Sequence, residues 1–95
     1  MATRANHFTK TRIAAATTTQ VKSGPGVFKR IVLGKPIASS TITIYNETAA
    51  GTTDVIDIIT NTTDVKPYFL DYDVRFTNGL KIVTSAADYI TVVWE

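Results

Sequence analysis

Two stretches of this chain alternate so regularly that they nearly dictate its fold class. In Tyr68 to Phe76, residues Tyr68, Leu70, Tyr72, Val74 and Phe76 fall on one side, and Phe69, Asp71, Asp73 and Arg75 on the other. In Ser40 to Tyr45, Ile42 and Ile44 oppose Thr41, Thr43 and Tyr45. A period of two is the geometry of a strand with one face in a core. The composition agrees: 17 Thr, 10 Ile and 9 Val make up 36 of the 95 residues. These side chains are stiff at χ1 and suit a pleated surface better than a helix. No window carries apolar residues at helical spacing.

Gly, Pro, Asn and Asp clusters cut the chain into seven strand-like runs. They are 12–22, Val27 to Leu33, Ser40 to Tyr45, Val55 to Thr60, Tyr68 to Phe76, Leu80 to Thr84 and Tyr89 to Trp94. Pro67 stands at a strand start, where its missing N–H does least harm. Seven short strands at this spacing predict a single antiparallel β-sandwich or jelly-roll-like barrel. Residues 1–20 are poor in large apolar side chains and read as a basic extended arm with a weak first strand, ahead of a sandwich domain over 21–95. Asn78-Gly79 reads as a hairpin. A two-residue loop would place Lys81 on the face of Val74 and Phe76. A three-residue loop with Gly79 left-handed pairs Phe76 with Leu80 and gathers the apolar residues on one face, so the pattern favours it. On this reading Leu70 is a core residue.

Charge divides the chain. The first 46 residues hold seven cations (Arg4, Lys10, Arg12, Lys22, Lys29, Arg30, Lys35) and no acid. The remaining 49 hold all eight acids against Lys66, Arg75 and Lys81, a balance of 3 − 8 = −5. Such a chain can pair front against back within itself, or join copies of itself. There is no cysteine, so no disulfide reinforces the small core. The first residues lack the apolar run of a secretion signal, and no stretch approaches the ~20 apolar residues of a membrane-spanning helix.

Catalytic chemistry is sparse. His7 is the one imidazole, too few for a His/Cys metal site and without a partner for nucleophilic catalysis. Gly24-Pro25-Gly26 leads into a strand and not a helix N-terminus, so it is a turn and not a phosphate cradle. Asp71 and Asp73 share one strand face and could approach Asp54 or Asp57. A calcium site takes six to eight oxygens, and two carboxylates read instead as a solvated stripe or as partners for Arg75 or the basic arm. The two Asn-x-Thr sequons, at Asn46 and Asn61, read as loop residues. The cations are too dispersed, and too thinly mixed with rings, for a nucleic-acid face. These features predict no enzyme, no cofactor, no metal, no nucleic acid and no membrane.

Four segments carry a family resemblance: Gly26-Val-Phe-Lys-Arg-Ile-Val-Leu-Gly-Lys-Pro36, Ala38-Ser-Ser-Thr-Ile-Thr-Ile-Tyr-Asn46, Tyr72-Asp-Val-Arg-Phe-Thr-Asn-Gly-Leu80 and Ile90-Thr-Val-Val-Trp-Glu95. Over about residues 20–95 the chain resembles small β-sandwich virion structural proteins of tailed bacteriophages, such as head decoration (cement) proteins. The resemblance carries no catalytic motif. It implies a non-enzymatic virion protein, assembled in the host cytoplasm, that binds the major capsid protein or other virion proteins as a homo-oligomer. The alternative is a carbohydrate- or receptor-binding module of a tail or fibre, which would use exposed rings among Tyr45, Phe69, Tyr89 and Trp94. For docking on other virion proteins, Arg4, Lys10 and Arg12 of the arm, and the outward apolar residues Phe69, Val83, Tyr89 and Val93, are the candidate partner contacts.

Overall fold

The β-branched runs find their hydrogen-bond partners in two stacked sheets. A computed structural model describes residues 8–48, 51–63 and 66–95. Its strands are β1 (Thr9–Ile13), β2 (Thr18–Ser23), β3 (Gly26–Lys35), β4 (Thr41–Tyr45), β5 (Val55–Thr60), β6 (Tyr68–Phe76), β7 (Gly79–Thr84) and β8 (Tyr89–Trp94). Sheet A has the order β1-β8-β3-β6 and sheet B the order β2-β7-β4-β5, with every pairing antiparallel. The predicted sandwich class is therefore found, with eight strands among the described residues instead of the seven expected.

The inner faces meet in one apolar layer. Sheet A contributes Phe28, Ile31 and Leu33 from β3, Ile90 and Val92 from β8, Ile13 from β1 and Phe76 from β6. Sheet B contributes Ile42 and Ile44 from β4, Leu80 and Ile82 from β7, and Ile59 from β5. Alternation put these residues inside, and the register confirms it: Ile42 lies opposite Ile59, and Ile31 opposite Val92.

Two expectations fail on topology. The run 12–22 is two strands in different sheets, separated by Ala14 to Thr17. Thr84 holds that crossing: its hydroxyl donates to the Ala15 carbonyl (2.5 Å) and accepts from the Thr17 N–H (3.0 Å). The described part of the expected arm, from Phe8 to Gln20, thus lies in both sheets, and residue 20 falls within β2. The Asn78-Gly79 hairpin does not form either. β6 pairs with β3 and β7 with β2 and β4, so the chain crosses from one sheet to the other at Thr77 and Asn78. Asn46 organises the crossing, its side-chain oxygen accepting from the N–H groups of Thr77 (3.0 Å), Asn78 (2.8 Å) and Gly79 (3.4 Å). Gly79 does not adopt the left-handed conformation expected of it. It is required for close approach: a Cβ there would sit 2.8 Å from the Lys22 carbonyl and 2.9 Å from that of Glu47.

The seam between β6 and β5 is closed by side chains. The Tyr72 hydroxyl donates to Asp57 and the Tyr68 hydroxyl to Asn61, each at 2.6 Å. Asn61 continues into a buried network, donating to the Ser40 hydroxyl, which donates to Asp88 (2.7 Å). Asp88 is fully buried and also accepts from the Ile37 N–H (2.6 Å). Above β7, the ammonium of the buried Lys81 donates to the Gly51 carbonyl and lies 4.9 Å from the Tyr45 ring centroid.

The position on this frame sets the effect of a truncation. Ile82 is fully buried, whereas Leu70, expected in the core, is only half-buried on edge strand β6. Ile82→Ala should lower unfolding stability by about 2–5 kcal/mol in urea denaturation, and Leu70→Ala by clearly less. A second prediction concerns pH. Burial first, and then the hydrogen bond to Asp57, push the Tyr72 hydroxyl above its ordinary value. A raised folded value means the contribution is intact below the unfolded tyrosine range, near pH ~10, and declines as pH climbs beyond it. Melting temperatures from pH 9 to 11 should therefore fall, and fall less steeply in Tyr72→Phe.

Candidate functional site

Register places one set of side chains on the outer face of sheet A. Across the sheet from β1 to β6, one row is Arg12, Thr91, Val32 and Phe69, and the next is Lys10, Val93, Arg30 and Asp71. Lys35 lies opposite Tyr89 at one end, and Val27 opposite Arg75 at the other. Five of the seven candidates from the sequence are thereby brought together: Lys10, Arg12, Phe69, Tyr89 and Val93. Val83 is not among them, because β7 belongs to sheet B. Arg4 and His7 lie outside the described residues.

Two irregularities in β3 aim the remaining cations. Phe28 and Arg30 lie opposite consecutive residues of β8, Trp94 and Val93, so Lys29 is an extra residue. Facing it on β6, Tyr72 and Asp73 fill the gap between Asp71 and Val74, and Asp73 has φ 55°. A bulge of this kind re-aims side chains. Phe28 and Ile31 both point into the core, and Lys29 and Arg30 both line the outer cleft. A second shift between Leu33 and Lys35 does the same for Lys35. The sequence held a signal for this: adjacent cations between two large apolar residues break a period of two.

The cleft of about 550 Å³ on this face is lined by Phe8, Lys29, Arg30, Asp71, Asp73 and Val93. Two ion pairs cross it, Lys29–Asp73 at 2.7 Å and Arg30–Asp71 at 2.5 Å. They join the basic front of the chain to its acidic back within a single molecule, one of the two routes expected from the charge division. The hydrogen bond to Asp73 raises the Lys29 ammonium above its ordinary value. Three cations also lie over rings: Arg30 over Phe69 (4.8 Å to the centroid), Lys29 over Phe8 (5.1 Å) and Arg12 over Tyr89 (5.2 Å). Contacts of this type hold cations flat on a surface with about 0.5–1 kcal/mol each.

The face is cationic in balance. Lys10, Arg12, Lys29, Arg30, Lys35 and Arg75 stand against Asp71, Asp73 and Glu95, six against three. The other described acids are engaged elsewhere. Glu47 accepts from the Thr53 hydroxyl (2.8 Å) and the Asp54 N–H (2.9 Å), and these bonds hold its carboxyl below the usual range. Asp54 accepts from Asn46, Asp57 from Tyr72, and Asp88 from Ser40 and Ile37. Among the described residues, no group of three or more His, Cys, Asp or Glu side chains is placed to hold a metal ion.

Comparison with known proteins bears on the fold. No protein-family model matches the chain, and no curated protein does. A solved structure, the core of Drosophila NLP, described for its pentamer formation and histone binding, matches with a TM-score of 0.58 at 12% identity. The match covers 93% of this chain and 95% of that one. It supports the sandwich and corrects the functional expectation. The structure that shares the fold is described for histone binding and pentamer formation, so the capsid decoration reading, its tail-fibre alternative and the capsid partner are set aside.

The ion pairs on this face are exposed, and exposed pairs contribute about 0–1 kcal/mol and are screened by salt. The double variant Asp71→Asn/Asp73→Asn, which removes both pairs, should therefore unfold within about 2 kcal/mol of the parent, with the difference vanishing at high salt. Paired urea titrations at ~0.05 and ~0.5 M salt measure this. A large, salt-independent loss would mean that these acids hold the fold itself.

Proposed function

We propose that this chain is the protomer of a closed homo-oligomer, a pentamer after the pattern of the NLP core, and that the assembly binds other proteins without catalysis. The observation that carries this reading is the match of the fold to that core over nearly the whole of each chain. A small sandwich without disulfides also gains from association, because binding of the folded state stabilises it by mass action.

Charge favours one surface for self-association. Copies that met through the outer face of sheet A would oppose cation to cation. The outer face of sheet B is close to neutral and rich in β-branched side chains. One row across it reads Thr18, Val83, Thr43 and Ile58, and beside Thr43 on β4 lies Tyr45, opposite Val55. Ile58 is 55% exposed and Val55 39%. Apolar side chains in such a patch are what an interface between like copies covers. The neighbour's named partner, a histone, is basic, and the charges of sheet A left outside its two ion pairs are mostly cations. We therefore take from the neighbour its assembly and its class of activity, and not its partner.

Light scattering on the purified protein tests the assembly. The expected mass is about five times the 10.4 kDa protomer, over micromolar concentrations. Ile58→Asp should shift the mass toward the protomer while leaving the sandwich folded by circular dichroism. A chain that is monomeric throughout that range would remove the proposal.

A further inference from the structure

We infer that the outer face of sheet A is a docking surface for an acidic, extended protein segment that also carries aromatic or aliphatic side chains. This deepens the proposed function by naming the chemistry of the partner, and it rests on that reading for the claim that the partner is a protein.

Four observations converge. The face carries six cations against three acids, and two of those acids are already paired, with Lys29 and Arg30. Lys10, Lys35 and Arg75 are exposed and have no ion pair among the described residues. The other described acids off this face are committed to hydrogen bonds within their own loops and seams, so among the described residues they do not supply the counter-charges. Apolar side chains lie between the cations: Val93 between Lys10 and Arg30, and Phe69 and Tyr89 beside Arg30 and Arg12, with Phe69 55% exposed.

Spacing selects the shape of the occupant. Lys10 and Arg12 stand two residues apart on one strand, about 7 Å, which matches acids two apart on an extended peptide. Lys35 and Arg75 lie toward opposite ends of the sheet, so the positive field runs its length. The rings favour a peptide over a nucleic acid. Stacking of bases needs open ring faces, and Phe8, Phe69 and Tyr89 each already carry a cation of this chain on one face. Val93 and Val32, set between the cations, offer contact to side chains and none to a phosphate backbone. Rim charges of this kind speed encounter and set the choice of partner, and the apolar contacts slow release.

Fluorescence anisotropy on the intact protein tests the inference. Three labelled probes of about twelve units are compared: a Glu-Glu-Phe repeat peptide and a Lys-Lys-Phe repeat peptide, each roughly 40 Å when extended, and an oligothymidylate. The acidic peptide should bind tightest, weakening steeply between ~0.05 and ~0.5 M salt. Lys10→Gln/Arg12→Gln should weaken it by about tenfold or more, chiefly through loss of charge complementarity. Phe69→Ala should weaken it at both salt concentrations. Thr52→Glu/Thr63→Glu, which changes the charge equally on exposed loops, should leave binding near the parent value. Tighter binding of the oligothymidylate or of the basic peptide overturns the inference, as does an equal response to the two double variants. Light scattering on the same samples separates the two proposals. A pentamer that binds none of the probes overturns the docking surface alone. A monomer that binds the acidic peptide, and loses it in Lys10→Gln/Arg12→Gln, overturns the ring alone.

Discussion

β3 is the strand on which the rest of the molecule depends. It is the one long strand of sheet A with partners on both sides, β6 and β8. Its inward residues Phe28, Ile31 and Leu33 are fully buried and supply the centre of the apolar layer. Phe28 also stacks on Tyr72, with ring centroids 4.7 Å apart, so β3 fixes the residue that ties β6 to sheet B. Its outward residues are Lys29, Arg30 and Lys35. One strand therefore determines both what is hidden and what is charged. The device is the extra residue at Lys29, which keeps two apolar neighbours in the core and two cations out of it.

Much of the fold was legible because a period of two reports which face a residue takes. Ile42, Ile44, Leu80, Ile82, Ile90 and Val92 are buried as alternation requires. Alternation does not report which sheet a strand joins, because the inner faces of both sheets share one core. That is why Thr77 to Gly79 could pass for a hairpin loop. Asn46, 31 residues away from Thr77 in sequence, caps that turn, and nothing local records so distant a partner. Nor does a period survive where side chains are small. Ala14, Ala15 and Ala16 carry no phase, so the break between β1 and β2 left no mark in the pattern.

The candidate site was legible in part for the same reason. Phe69, Tyr89 and Val93 were assigned outward by phase, and phase is what the structure preserves, whereas Lys10 and Arg12 were named for the charge of the expected arm and not for a strand phase. All five share one face because β1, β8 and β6 belong to one sheet, which phase alone does not decide. Val83 has the same outward phase on the opposite sheet. Lys29, Arg30 and Lys35 were missed because their orientation depends on bulges. The division of charge along the chain foretold that front and back would meet. The pairs Lys29–Asp73 and Arg30–Asp71 are where they do.

The left-handed residue Asp73 has a bearing on how copies of this chain avoid one another. β6 is nine residues long and forms an open border of sheet A, a template on which a neighbour's strand could continue the sheet without end. Asp73, at φ 55° in mid-strand, interrupts the regular ladder, and Pro67 at the strand's entry offers no N–H to a newcomer. Growth along that border is thereby discouraged, and growth of that kind leads to fibres. Contacts between broad faces, set at an angle, can instead return on themselves and stop at a finite number of subunits.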